Sequence, residues 1–530
     1  MKSGWPAALG LVALFCLLGA AFLPLTGPQY DETLFGQAIY APGNCASSVA
    51  TPWGTLALML MTYLGALKAW VWYPIVALAG NGVVALRLPA LLAAAGAAVM
   101  FFLALRRMAG VWAAVLGLAL LVTDTNYLVS SVYDWGPVAL QHALWCTLLY
   151  AGVRFSEDGR SLWVALGGAC LGIALWDKAI CMWLILGFGA SLFVFYPRGL
   201  WRKRALAVGV LAFVLGALPF LYYNQRQRLI TFRSTAGWVS SEYATKTKYL
   251  DMVLGGEGLF TYVTYPQAAP EPPGRPAWER WSSGLNEALG RPLQSLQRGL
   301  VMLVLLGLPL LWFTPGGRRI VFFAVGGGLS ALLMFSTRDA GASVHHDILL
   351  WPLPQLLIAL AAVEAARRFR RRAQRIATVA VVVAVATNLA VMNHLYARLQ
   401  LRGPSVGWTD AVLPLAGELE QQGERNIFAT EWGILQQLSY LRGGKVHVLW
   451  RSDGVLRDLN TPTSRELVLR SLINPQTLYV GHGQPYELNP GTAVLLDGIA
   501  GNLGLQKVLL KVIPDSRGRP IFEVFEYRRP

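Results

Sequence analysis

Eleven apolar runs break up the first 392 residues, near positions 5–26, 83–105, 111–129, 137–154, 161–176, 179–196, 205–223, 297–314, 319–335, 348–363 and 376–392. A helix rising 1.5 Å per residue needs about 20 apolar residues to cross the hydrocarbon of a bilayer. The runs are therefore expected to be spans of an α-helical polytopic membrane protein, about 11 transmembrane helices in all.

The 530 residues include 55% hydrophobic and only 14% charged side chains, too apolar for a soluble globule of this length. Lys and Arg total 45 against 29 Asp and Glu, a formal charge of +16. That excess does not point to nucleic acid, because it collects in short segments between runs: Arg106–Arg107, Arg154–Arg160, Arg198–Arg204, Arg318–Arg319 and Arg367–Arg375. Basic short loops stay cytoplasmic. The alternate loops, and everything after Asn393, are then expected outside the cytoplasmic (inner) membrane. Residues 1–26 read as an uncleaved span, with a signal peptide as the alternative. Four of the five cysteines lie in apolar runs, with no disulfide framework and no zinc spacing.

Two domains are expected: a membrane module over 1–392 and a small extracytoplasmic α/β domain over 393–530. In the latter "RNIFAT", "KVHVLW" and "TLYVG" read as strands, Gly433–Leu441 as a helix, and the last residues as a hairpin turning at Asp515–Gly518. No strand-linked Gly-rich nucleotide loop occurs anywhere.

The outer loops carry the polar chemistry. "GPQYDETLFGQAIY" sets Asp31 and Glu32 in the first turn of an amphipathic helix, where carboxylates also simply favour the helix dipole. Leu34, Phe35, Ala38 and Ile39 give that helix an apolar stripe for the outer interface. Asp134 precedes Trp135-Gly136-Pro137 in the next outer loop and suits the N-terminus of the following helix. Arg87 opens the second run, Lys178 lies in the turn after Asp177, and Arg338, His345 and His346 share the same face. Adjacent histidines rarely ligate one ion from a helix, and no His-Glu-x-x-His occurs. No cofactor is called for, and a divalent metal stays open.

These stretches resemble landmarks of a known family. "YDETLFGQAI", "LRLPALL", "YDWGPVAL", "GIALWDKA" and "HHDILLWPLP" are similar to those of the GT-C glycosyltransferases, nearest the bacterial enzymes related to protein O-mannosyltransferases and lipid A aminoarabinose transferases. The resemblance covers about the first 360 residues. It implies an inverting enzyme that moves a sugar from a polyprenyl-phosphate carrier to a lipid, polysaccharide or protein acceptor outside the membrane. Asp31 and Asp134 are the acids it implies as catalytic, and Glu32, next to Asp31, is a further catalytic candidate. Arg87, Lys178, Arg338, His345 and His346 are the cations expected near the donor phosphate, although Asp177 stands where the family usually has threonine before its lysine. The rival reading is a transporter or flippase of lipid-linked sugars. Transporters, however, place ionisable groups near the midplane between internal repeats, and no repeat is visible here.

Overall fold

The computed structural model describes residues 4–530 apart from 198–202, 236, 268–274, 291–293, 339, 342, 424, 446–458 and 460. The expected "KVHVLW" strand and part of the Pro-rich stretch Tyr265–Trp278 lie outside the described residues.

Every apolar run forms helix. Single helices cover Trp5–Phe22, Val83–Ala109, Val138–Asp158, Ser161–Asp177, Cys181–Phe195 and Gly317–Phe335. Bent pairs cover Val111–Val122 with Thr125–Val132 at 60°, and Lys203–Gly216 with Leu218–Arg226 at 65°. Gln297–Leu306 is followed by a short helix, Leu308–Trp312. The last two runs share Leu353–Arg402, in which Arg370, at φ 53°, marks the break between two helices. By length and composition four helices among the described residues can cross a membrane, or up to six if each bent pair is one span. Eleven crossings therefore remain a proposal.

Small residues let the central helices approach. Along Val83–Ala109 the side chains of Ala90, Ala94, Ala97 and Ala98 are fully buried, and this helix packs on Val111–Val122 and Val138–Asp158. Between apolar helices the gain comes from close van der Waals packing, which small side chains permit. Polar pins add register. Asp124 caps Thr125–Val132 through the Tyr127 amide at 3.0 Å, and accepts from Gln297 at 2.7 Å and Trp351 at 2.9 Å.

The segment between the first two apolar runs differs from expectation. It contains a hairpin, β1 (Ser47–Thr51) with antiparallel β2 (Gly54–Met59), and a helix, Leu67–Ala79, where a loop was expected. Thirteen residues are too few to span a bilayer, so this helix gives no span-length signal in the sequence. The stretch with Asp31 is two short helices, Tyr30–Thr33 and Gly36–Tyr40. Its apolar stripe does not face lipid: Leu34 and Phe35 are buried with Leu60, Leu64 and Ala69.

The helix ending at Arg402 leads into a sheet domain of order β3-β4-β6-β5: Asn426–Ala429, Thr477–His482, Pro520–Arg528 and Gln506–Pro514. β3 and β4 are parallel and the other pairs antiparallel. The strands alternate, so two cores form. Val412, Leu415 and Leu438 pack on one face, and Val468, Leu472 and Leu496 on the other. Helix Leu435–Leu441 then seats on the Asp31 segment. Gln437 donates to the Pro28 carbonyl at 2.6 Å, Gln436 to Gln37 at 3.0 Å, and the Trp432 and Tyr30 rings lie 4.8 Å apart.

Candidate active site

The turn bearing Asp31 is built by its neighbours. Gln29 accepts from the Asp31 amide at 2.6 Å, while Glu32 reaches back to the Gln29 amide at 2.8 Å, a reciprocal cap that fixes the first turn. Consecutive helical side chains diverge by roughly 100°, so the two carboxylates part company here. Glu32 is 1% exposed and meets Arg87, itself fully buried, at 2.9 Å. Asp31 is only partly buried. It lies near enough to Lys178 and Tyr262 to act on both electrostatically.

Arg87 is placed differently from the anion contact expected of it. Its guanidinium takes both Glu32 oxygens, the carbonyls of Leu23, Thr26 and Gly27, and the Thr26 hydroxyl, all within 3.0 Å. The Tyr133 ring covers its face at 4.5 Å. With its donors turned to protein, it ties the first span to the Asp31 turn.

Asp134 is as deeply buried, and a residue the sequence reading missed meets it. Lys68, on helix Leu67–Ala79, lies 2.8 Å from the carboxylate and donates to the Asp134 carbonyl at 2.7 Å. The other carboxylate oxygen accepts from the Ala139 amide at 3.0 Å, as expected of an acid opening that helix. Burial raises the Asp134 carboxyl above its ordinary range, and Lys68 pulls it back. A lone lysine inside a short apolar stretch was the available signal, and it reads equally as an interfacial anchor.

Lys178 has no such partner. The preceding Asp177 turns to Gln141 at 2.9 Å. The Lys178 backbone is pinned by a bridge to Leu64, with the Gly65 amide on Asp177 O at 3.1 Å and the Ala179 amide on Tyr63 O at 2.9 Å. A Cβ on Gly65 would stand 2.2 Å from Trp176 O, so only glycine allows this approach. The Lys178 ammonium is buried and makes no hydrogen bond among the described residues. It faces Gly136, at φ +97°, where an added Cβ would lie 3.1 Å from Nζ. His345 lies by the same glycine, with Cδ2 4.0 Å from that point. Burial pushes the Lys178 amine down to about 8, against the pull of Asp134, Asp177 and Asp31.

His346 and Arg338 stand slightly apart, lining an apolar cleft with Tyr63, Trp183, Phe220 and Phe232. Among the described residues no three His, Cys, Asp or Glu side chains gather as metal ligands. No step below runs through a metal ion.

A helical body thus gathers acids and a buried lysine, with a small α/β domain at its C-terminal end. Residues 65–223 match the family of dolichyl-phosphate-mannose-protein mannosyltransferases. The fold is similar to that of ArnT from Cupriavidus metallidurans, solved bound to undecaprenyl phosphate, at 14% identity and a TM-score of 0.61, covering 99% of this chain and 98% of that one. It is also similar to the oligosaccharyltransferase of Archaeoglobus fulgidus, solved with Zn and sulfate, at 11% identity and a TM-score of 0.50, covering 89% and 68%. Comparison with curated protein sequences gives no match. The resemblance read from the sequence landmarks is borne out by the family match over residues 65–223 and by the similarity of fold to ArnT.

Proposed function

We propose that the protein is an inverting glycosyltransferase that takes a sugar from a polyprenyl-phosphate carrier to a lipid, glycan or protein acceptor at the outer face of the cytoplasmic membrane. The observation that carries this reading is the buried Lys178 ammonium, without a hydrogen bond among the described residues, beside a glycine and near Asp31. A buried ammonium with no hydrogen-bond partner is costly even with carboxylates nearby, so Lys178 is suited to meet a phosphate brought by substrate beside Gly136.

The acceptor oxygen attacks the anomeric carbon as its proton passes to Asp31, and the bond from that carbon to the phosphate oxygen breaks. The electron pair leaves with the polyprenyl phosphate, whose new charge is met by Lys178 in a poorly hydrated site. One base and one anion clamp suffice. Asp134 and Lys68 hold the loop bearing Gly136, and Glu32 with Arg87 holds the turn bearing Asp31. These four enter the proposal as positioning groups. The apolar cleft beside His346 is of a character to take the start of the isoprenoid, with Arg338 at its rim.

Purified protein in detergent should transfer labelled sugar from polyprenyl-phosphate donors to extracted envelope lipids or glycans, and should use no nucleotide sugar directly. Transfer from a nucleotide sugar alone would overturn the mechanism. Carrier movement across liposomes with no glycosidic product would favour the flippase.

The role of Lys178 gives a pH signature. The ammonium form binds phosphate, so kcat/KM, which reports the free enzyme, should fall as pH rises through about 8. The limb in kcat should lie higher, because bound phosphate stabilises the charge. Lys178→Arg should remove the limb, since guanidinium stays charged. An unchanged limb in that variant would assign it elsewhere.

A further inference from the structure

A buried tryptophan decides which nitrogen of His345 carries the proton. Trp135 is 1% exposed, and its indole Nε1–H donates to His345 Nδ1 at 2.7 Å. An indole nitrogen only donates, so Nδ1 must supply the lone pair, and a neutral imidazole then keeps its proton on Nε2. The Ser343 hydroxyl also lies against Nδ1 and can donate there in the same sense. Trp135 is held by Trp408 at 5.3 Å and Tyr262 at 5.4 Å, which leaves the indole little room to turn.

The other nitrogen lies near the candidate site. Among the described residues no hydrogen bond from Nε2 is made, and Cδ2, bonded to it, is 4.0 Å from where a Cβ on Gly136 would stand. Lys178 Nζ is 3.1 Å from the same point. The Nε2–H edge and the ammonium therefore both border Gly136. A second cation there would oppose the charge on Lys178, whereas a neutral N–H adds a hydrogen bond without that repulsion.

We infer that His345 is a neutral hydrogen-bond donor to the leaving phosphate and that Trp135 is the positioning residue that fixes it in that form. This rests on the reading of Lys178 beside Gly136 as the donor-phosphate site. Neither group gains or loses a proton in the step. The donor is oriented before the charge develops, where a fixed N–H is most effective.

Two measurements test it. Nitrogen NMR of histidine-labelled full-length protein, with His345 assigned by its loss in His345→Gln, should show a lone pair on Nδ1 and a proton on Nε2. In Trp135→Phe, which keeps a ring but removes the N–H, that hydrogen-bonded Nδ1 signature should weaken. In kinetics His345→Ala should lower kcat by about 10²-fold with donor KM changed less than twofold, the scale of one lost oxyanion donor. His345→Gln, whose amide N–H can stand in for Nε2–H, should recover part of that loss. Trp135→Phe should lower kcat about tenfold at an unchanged thermal midpoint, a fraction of the His345→Ala loss because His345 itself remains. A proton on Nδ1, or wild-type kcat in His345→Ala, would overturn the inference. If His345→Ala is silent while Lys178→Ala loses activity, the inference fails and the phosphate site stands; if both are silent, the phosphate site itself fails.

Discussion

Asp31→Asn should lower transfer by about 10²- to 10⁴-fold, the usual worth of a positioned general base, with yield, monodispersity in detergent and thermal midpoint near those of the parent. The amide keeps the size and polarity of the side chain but cannot take the acceptor's proton. The reciprocal cap of the turn around it is made by Gln29 and Glu32, and it is Glu32 that meets Arg87. The loss should appear in kcat at saturating donor and acceptor. It should also be nearly independent of pH between 6 and 9, because no ionisation at residue 31 remains. Retention of more than a tenth of parent turnover would remove Asp31 as the base and leave the site without an obvious one.

The sequence carried the helices further than the site. Apolar runs are long-range averages over about 20 side chains, so one lysine or proline in them does little harm, and each run is a helix or a bent pair in the structure. The hairpin at Asp515–Gly518 was legible for a similar reason: β-branched and aromatic alternation on both sides of a turn sequence leaves few alternatives. Pairing was not legible. Nothing in "YDET" distinguishes the carboxylate that enters the core from the one that stays at its edge, and only the approach of Arg87 from 55 residues on makes the choice. Lys68 was lost because Leu67–Ala79 is too short for a span and too apolar for a loop. The docking of Leu435–Leu441 on the Asp31 segment was equally hidden, since it depends on glutamines and a tryptophan that are unremarkable in a soluble helix.

Glu32→Gln and Arg87→Met should act on folding before they act on chemistry. Each leaves the other member of a fully buried pair without its countercharge, a change that typically costs about 3–5 kcal/mol. The expected result is a marked fall in the thermal midpoint and in folded yield, with near-parent kcat in whatever folded fraction survives. The double variant should recover part of the loss from Arg87→Met, because the stranded carboxylate is gone. It should not recover it all. Arg87 also satisfies the Leu23, Thr26 and Gly27 carbonyls, and these stay unpaired in both variants. A double-mutant cycle on unfolding in mild denaturant would measure the coupling, which should be well above that of the exposed pair Arg107–Glu157. If Glu32→Gln instead keeps its midpoint and loses turnover as completely as Asp31→Asn, Glu32 belongs to the chemistry, and Arg87 is then the group that tunes it.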